Sequence, residues 1–553
     1  MTVRAGGRSA LLGVFVVVLS LTAGCTASPA PNIEIGNWAQ PAPSTEGTLT
    51  LPTPAHLYAA AKSPDRVDVT PTPTATPPGV TSAPSGSGYD RYLTQRVKWG
   101  SCTTPSVGTK CAHVLAPLDW QVPDGPAITL TMKRKSATSK LSDATSPDLF
   151  VNPGGPGGSA QDYVDEVNTK GLTGFNIVGL DPRGSGESTP VVCGSTSQLD
   201  AYFAQNVVPS NDQEKQALID ANRQFAQQCR NNSGALLDHI STIEAVYDFD
   251  LVRQLLGDAK FNWLGVSYGT FIGAIYLELY PKNAGRMILD AAVNIVHTSS
   301  SDSADNSSGV SQSDGFDLAL SKFAAWEVSK GKAASVSSFD KKLTTFIDSL
   351  KDKPIKVGNR MLTQSLFVTA VALFMYLGTS GYAQLADGLD QTMNHRDGAM
   401  MLAAADSMNG RTNKGYDSMA TAFPAIYCKD QGDNGIDAMY KIWLSDAKSA
   451  PIFGKYFGPD LQCPVWTVQA APSIKFSGAG DPPFLVIGGT GDNATPYQYA
   501  QSMAKQMPSA ILVTRDGVGH GSYSSGSSCI DKIVRDFLNR GTTPKDGVTC
   551  QMD

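Results

Sequence analysis

The sequence predicts an α/β fold in which a mostly parallel central sheet is covered by helices on both faces and carries an inserted helical cap. Two observations predict it. Short apolar runs at Asp148–Val151, Phe175–Leu180, Asn262–Val266, Arg286–Ala292, Phe484–Ile487 and Ala510–Thr514 alternate with helical patterns, as strands buried on both faces do. From about 296 to 424 this alternation stops. Met361–Met393 and Met400–Met408 have few charges and helical spacing, and no clear strand signal interrupts them. A helical block between an early and a late set of strands is where a lid over a site is inserted.

The elements follow in order along the 553 residues. Arg4 and Arg8 precede an apolar run, Ala10–Leu21, that is too short to span a membrane and ends in Leu21-Thr22-Ala23-Gly24-Cys25. These residues resemble a bacterial lipoprotein box, which implies cleavage before Cys25, a lipid on Cys25 and tethering of an exported protein to the cell membrane. The alternative is an ordinary secretory signal with an incidental cysteine. Residues 26–88 hold twelve prolines among many Thr, Ser and Ala, ending near Ser85-Gly86-Ser87-Gly88. That composition buries too little apolar surface to order itself and predicts an extended spacer. The first part of the core is then expected at 89–295, the cap at 296–424 and the second part of the core at 425–553.

Composition narrows the function. Apolar residues are 41% and charged residues 17%, with a net charge of −6 and no long basic run, so the balance offers nothing to nucleic acid. Eight cysteines remain beside Cys25: Cys102, Cys111, Cys193, Cys229, Cys428, Cys463, Cys529 and Cys550. An even number in an exported chain predicts disulfides, and neighbour pairing would close four local loops. No C-x-x-C pair or His/Cys cluster suggests a zinc site.

The chemistry centres on Gly265-Val266-Ser267-Tyr268-Gly269, with a strand before it and a helix from Thr270 to Tyr280 after it. A strand-to-helix turn this sharp needs small neighbours, and it lifts the Ser267 hydroxyl above the carboxyl end of the sheet, the nucleophile elbow of an α/β-hydrolase fold. The Tyr268 N–H falls at a helix N-terminus, where negative charge is favoured. A serine needs a base. Of the six histidines, His520 stands in Gly519-His520-Gly521 after a strand, where flanking glycines allow close approach; His56 falls in the spacer, and His113, His239, His297 and His395 lack such a setting. Asp492, in Gly491-Asp492-Asn493, completes a Ser–Asp–His order, with Asp290 as the rival acid. The second oxyanion donor is expected in the loop Gly154–Gly158, at Gly155. That loop lacks the Lys-Ser/Thr ending of a phosphate-binding loop and the spacing of a dinucleotide-binding one.

Five ordered motifs, Asn-Pro-Gly-Gly-Pro-Gly at 152–157, Leu-Asp-Pro-Arg-Gly-Ser-Gly-Glu-Ser at 180–188, Gly-Val-Ser-Tyr-Gly, Asp-Asn-Ala-Thr-Pro at 492–496 and Gly-His-Gly, resemble the prolyl-aminopeptidase/tripeptidyl-aminopeptidase group of α/β-hydrolases, in particular its exported actinobacterial type. The segment from Ser528 to Cys550 resembles the C-terminal region of the tripeptidyl-aminopeptidase type. The resemblance implies a serine exopeptidase acting near a free peptide N-terminus, with a peptide as its partner, the triad Ser267, Asp492 and His520, donors Gly155 and Tyr268, and no metal or organic cofactor. Two departures set this chain apart. Prolyl aminopeptidases usually have His where Asn152-Pro153 stands, and their cap glutamates bind the substrate amine, whereas Glu327 is the one glutamate between 296 and 424. A carboxylesterase or lipase would use the same triad, and a non-catalytic peptide- or envelope-binding lipoprotein would need none.

Overall fold

The computed structural model describes residues 51–52, 57–58, 63–66, 69, 78–104, 106–139, 146–295, 310–478 and 480–553. The expected export signal and lipidated Cys25 lie outside these residues, as do His56 and His297. Ten strands form the main sheet: β1 (Val80–Thr81), β2 (Thr109–Pro117), β3 (Ala127–Lys135), β4 (Asp148–Asn152), β5 (Asn176–Leu180), β6 (Phe261–Val266), β7 (Ala284–Asp290), β8 (Phe484–Gly491), β9 (Ala510–Val518) and β10 (Val548–Gln551). Their order is β10-β9-β8-β7-β6-β4-β5-β3-β1, with β2 also on β3. Every pair from β5 to β10 is parallel; β3 pairs antiparallel with β5, β2 and β1. This is the α/β-hydrolase fold.

The pleat sorts side chains between two cores. Phe150, Trp263, Phe484 and Val486 face one cluster, which takes in the helices Thr242–Leu256 (α2), Tyr268–Leu279 (α3) and Tyr497–Gln506 (α11). Leu149, Val151, Leu264, Leu485 and Ile487 face the other, with Ala160–Glu166 (α1) and Ser528–Arg540 (α12) over them. Both faces of the central strands are therefore dry, which is why they read as continuous apolar runs.

A third cluster belongs to the helical region. Gln312–Ser329 (α4), Val336–Asp352 (α5), Gln364–Tyr376 (α6), Tyr382–His395 (α7) and Ala399–Met408 (α8) pack around Phe323, Leu343, Phe367, Leu385 and Met401. It runs past residue 424 to take in Ile452, Phe453 and Tyr456, because Asp317 accepts hydrogen bonds from the N–H groups of Ile452 (3.1 Å) and Phe453 (2.7 Å). Two short hairpins, Ile355–Val357 with Arg360–Leu362 and Arg411–Thr412 with Gly415–Tyr416, interrupt a region that the sequence predicts as helical throughout. Two helices follow this region, Met419–Asp430 (α9) and Ile436–Ser449 (α10).

Parts of the expected spacer are docked rather than solvated. Leu57–Tyr58 pairs with Ser473–Ile474, and β1 joins the sheet. The buried Arg66 guanidinium bonds Asp433 at 2.5 Å and the Cys428 carbonyl at 2.9 Å. Backbone pairing and one buried ion pair hold what apolar burial could not. Each cysteine among the described residues is bonded to its neighbour in sequence: Cys102–Cys111, Cys193–Cys229, Cys428–Cys463 and Cys529–Cys550. Four disulfides point to an extracytoplasmic domain. Among the described residues no helix is long and apolar enough to cross a membrane.

The 180–188 motif is a buried brace. Arg183 is fully buried, forks onto Asp248 (2.7 and 2.8 Å) and donates to the carbonyls of Pro117, Leu118 and His239. Asp181 accepts from the Gln161 N–H and side chain and from the Glu187 N–H, tying the start of α1 to this turn. Burial pushes its carboxyl up to about 6 despite those donors. Asp248→Ala leaves the guanidinium without its counter-charge and is expected to cost about 3–5 kcal/mol in urea unfolding.

Candidate active site

Ser267 joins β6 to α3 with φ 58° and ψ −124°, a region that side-chain-bearing residues rarely occupy. The turn is fixed on both sides. The Ser267 N–H donates to the Asp290 carbonyl (3.0 Å), and the Ser267 carbonyl accepts from the Thr270 N–H (2.8 Å) and hydroxyl (2.6 Å). Glycine is required next to it, since a Cβ on Gly265 would lie 2.2 Å from Trp263 Nε1 and 2.4 Å from the Gly269 carbonyl. α3 begins at Tyr268, two residues before the predicted Thr270.

The glycine loop after β4 lies directly against this turn. A Cβ on Gly154 would stand 2.5 Å from the Val266 carbonyl and 2.9 Å from both Ser267 Cβ and the Tyr268 nitrogen. The Gly154 N–H is already taken by Asn152 Oδ1 (2.9 Å), and that of Gly158 by the Gly154 carbonyl (3.2 Å). No such bond engages the N–H groups of Gly155 and Gly157, and the Tyr268 nitrogen lies at the start of α3 against the same loop.

His520 follows β9. Its Nδ1 lies 2.8 and 3.1 Å from the two oxygens of Asp492, whose carboxylate also accepts from the N–H groups of Ala494 (3.0 Å), Thr495 (2.8 Å) and Gly521 (3.3 Å). Burial alone would raise the Asp492 carboxyl; the His520 charge and hydrogen bond, the Thr495 N–H and Arg515 outweigh it and hold it below the usual carboxylate range. An ionised Asp492 makes Nδ1 the donor and leaves Nε2 with its lone pair. A Cβ on Gly521 would lie 3.7 Å from Val266 Cγ1, so the histidine loop stands beside the residue preceding Ser267.

Asp290, the rival acid, has another task. Its buried carboxylate accepts from the N–H groups of Ser522 (2.9 Å) and Tyr523 (2.7 Å), while its carbonyl holds the Ser267 N–H. One residue thus ties the serine turn to the histidine loop. Four further residues, Tyr376, Arg515, Thr242 and Asp430, were not visible in the sequence pattern. The Tyr376 carbonyl accepts the His520 N–H (3.1 Å), and its ring packs edge-on against the imidazole at 5.2 Å. The buried Arg515 guanidinium donates to the carbonyls of Val518 and Gly519, bracing the histidine loop from below. The Tyr268 hydroxyl donates to Thr242 Oγ1 (2.5 Å), which donates to Asp430 (2.5 Å), whose carboxyl burial pushes up to about 7.

The other described histidines lie elsewhere. His113 and His395 are exposed, and His239 bonds Glu244 at 3.1 Å. Asp119, His239 and Glu244 bring ligating atoms within 4.8 Å of one another, but the Glu244 carboxylate already lies 3.6 Å from Arg183. A cavity of about 900 Å³ opens beside the glycine loop, lined by Gly157, Ser159, Asp162, Glu187 and Asp417; Ser267, Asp492 and His520 do not line it.

The profile of the TAP-like protein family matches residues 450–550. The serine protease Hip1 of Mycobacterium tuberculosis is 30% identical over 492 residues, covering 83% of this chain and 91% of that one. Carboxylesterase B of the same species is 31% identical over 511 residues, covering 86% and 95%. The tripeptidyl aminopeptidase of Streptomyces lividans is 27% identical over 462 residues, covering 80% and 83%. The chain belongs to the TAP-like family of α/β-hydrolases and is a serine hydrolase.

Proposed function

We propose that this protein is a serine exopeptidase that releases tripeptides or other short N-terminal pieces from peptides, through Ser267, His520 and Asp492. The observation that carries the reading is the bond from His520 Nδ1 to the buried Asp492, in a loop held beside the strained Ser267 turn. Nε2 takes the Ser267 proton as the hydroxyl attacks the carbonyl carbon. The N–H groups of Gly155 and Tyr268 hold the oxyanion. The leaving amine departs with the proton from Nε2, and water then releases the acyl group by the same route. The helical region over the sheet, whose Tyr376 touches His520, is the cap that restricts access to chain ends. A lipid on Cys25 would hold the enzyme at the outer face of the membrane.

Likeness to carboxylesterase B favours ester cleavage as the second reading. Comparing kcat/KM on N-terminally free tripeptidyl anilides, their N-blocked counterparts and short acyl esters separates the two. The peptidase reading expects the free anilides to be preferred over the blocked ones; activity confined to esters contradicts it.

Gly154→Ala tests the oxyanion side. The added methyl group meets the Val266 carbonyl and the Tyr268 nitrogen, at a φ of +93° that already disfavours it. Displacing either donor is expected to lower kcat by about 10²–10³, read by hydrolysis of an activated ester.

A further inference from the structure

α9 is buried on all sides but one. From Ala420 to Cys428 every residue is buried except Phe423 and Tyr427, which are 39% and 37% exposed. They lie one turn apart, with rings stacked at 6.0 Å and 17°. Among the residues whose burial is described they are the only exposed Phe, Tyr or Trp side chains. Two stacked apolar rings left open on an otherwise enclosed helix are a flat surface available to a ligand ring.

Two contacts place the helix that carries this stripe. α9 rests on the glycine loop, since a Cβ on Gly157 would lie 3.0 Å from Met419 Cα, 3.1 Å from Ala422 Cβ and 3.3 Å from the Phe423 nitrogen. Its last residue, Asp430, reaches Tyr268 through Thr242. The helix that carries the stripe therefore borders the glycine-loop side of the site, while the imidazole is bordered by Tyr376 of the helical region. The leaving group must lie by the imidazole, which protonates it. The acyl group remains for the other side.

We propose that Phe423 and Tyr427 form the platform for an aromatic or large apolar side chain on the acyl portion of the substrate. The assignment rests on the hydrolase reading above and names its substrate class. Stacked rings offer area and an edge-to-face partner to another ring, which favours aromatic acyl groups over small ones.

Two esters with the same leaving group test it, p-nitrophenyl 3-phenylpropanoate and p-nitrophenyl acetate. In the variant carrying Phe423→Ala and Tyr427→Ala, the ratio of kcat/KM for the first over the second is expected to fall by about tenfold. Stoichiometric capture of a small ethyl fluorophosphonate by the same variant shows that the serine turn is intact. A ratio within about twofold of the wild type overturns the platform. So does loss of capture, since the rings would then be supporting the turn rather than the substrate. Wild-type protein that neither cleaves the esters nor captures the fluorophosphonate removes the hydrolase reading instead, and the platform with it.

Discussion

Ser267→Ala is expected to lower turnover by as much as about 10⁶ and to leave the melting temperature within a degree or two. The two effects separate because of how the turn is built. Its positive φ is imposed by the bonds to the Asp290 carbonyl and from Thr270, which involve only the backbone of residue 267. Alanine keeps the same Cβ and the same backbone strain, so the fold loses one hydroxyl. The chemistry loses its only covalent acceptor for the acyl group, and what survives is the contribution of the oxyanion donors and of binding. Turnover of an activated ester, with a thermal melt on the same sample, reads both. Near-normal turnover would remove Ser267 from the reaction.

Asp492→Asn is expected to cost about 10⁴ in kcat. The amide is nearly the same shape and can still accept from the Ala494 and Thr495 N–H groups. It can also donate to Nδ1, which moves the imidazole proton to Nε2, the atom that must accept from Ser267. The imidazolium formed in the transition state then loses its counter-charge as well. A stability signature accompanies the kinetic one. The folded carboxyl is held below its unfolded value, so it contributes stability that is fully present above the unfolded pKa and is lost as pH falls through the folded one. Unfolding of the wild type should therefore weaken over that acidic window by more than unfolding of the variant. Parallel curves would show that Asp492 is not held as a carboxylate.

Much of the site is legible because its determinants are local. The serine turn announces itself through Gly265 and Gly269, where a side chain would collide with Trp263 or Asn152. The histidine is marked by its two glycines, and a Cβ on Gly519 would lie 3.1 Å from Gly378 of the helical region. The hidden parts are contacts distant in sequence or made by backbone. Asp290 reaches Ser522 across 232 residues, and nothing near it in the sequence tells a loop brace from a catalytic acid. The Tyr376 carbonyl leaves no side-chain signature at all. Strand ends were obscured for a packing reason. β8 continues through Gly488, Gly489 and Gly491 because α11 comes so close that a Cβ on Gly488 would lie 2.6 Å from Ala500 Cβ, and glycines erase the apolar pattern that a strand is read from. The docked stretch around Arg66 was hidden for the converse reason, since proline-rich composition conceals one well-paired arginine.

The proposed chemistry depends most on Ser267 acting as a nucleophile activated by His520. Mapping a fluorophosphonate adduct by peptide mass spectrometry, in the wild type and in His520→Ala, tests this directly. One adduct is expected, on the peptide carrying Ser267, formed at least about a hundredfold more slowly without the imidazole. An adduct on another residue, or labelling of Ser267 at the same rate in both proteins, would contradict it.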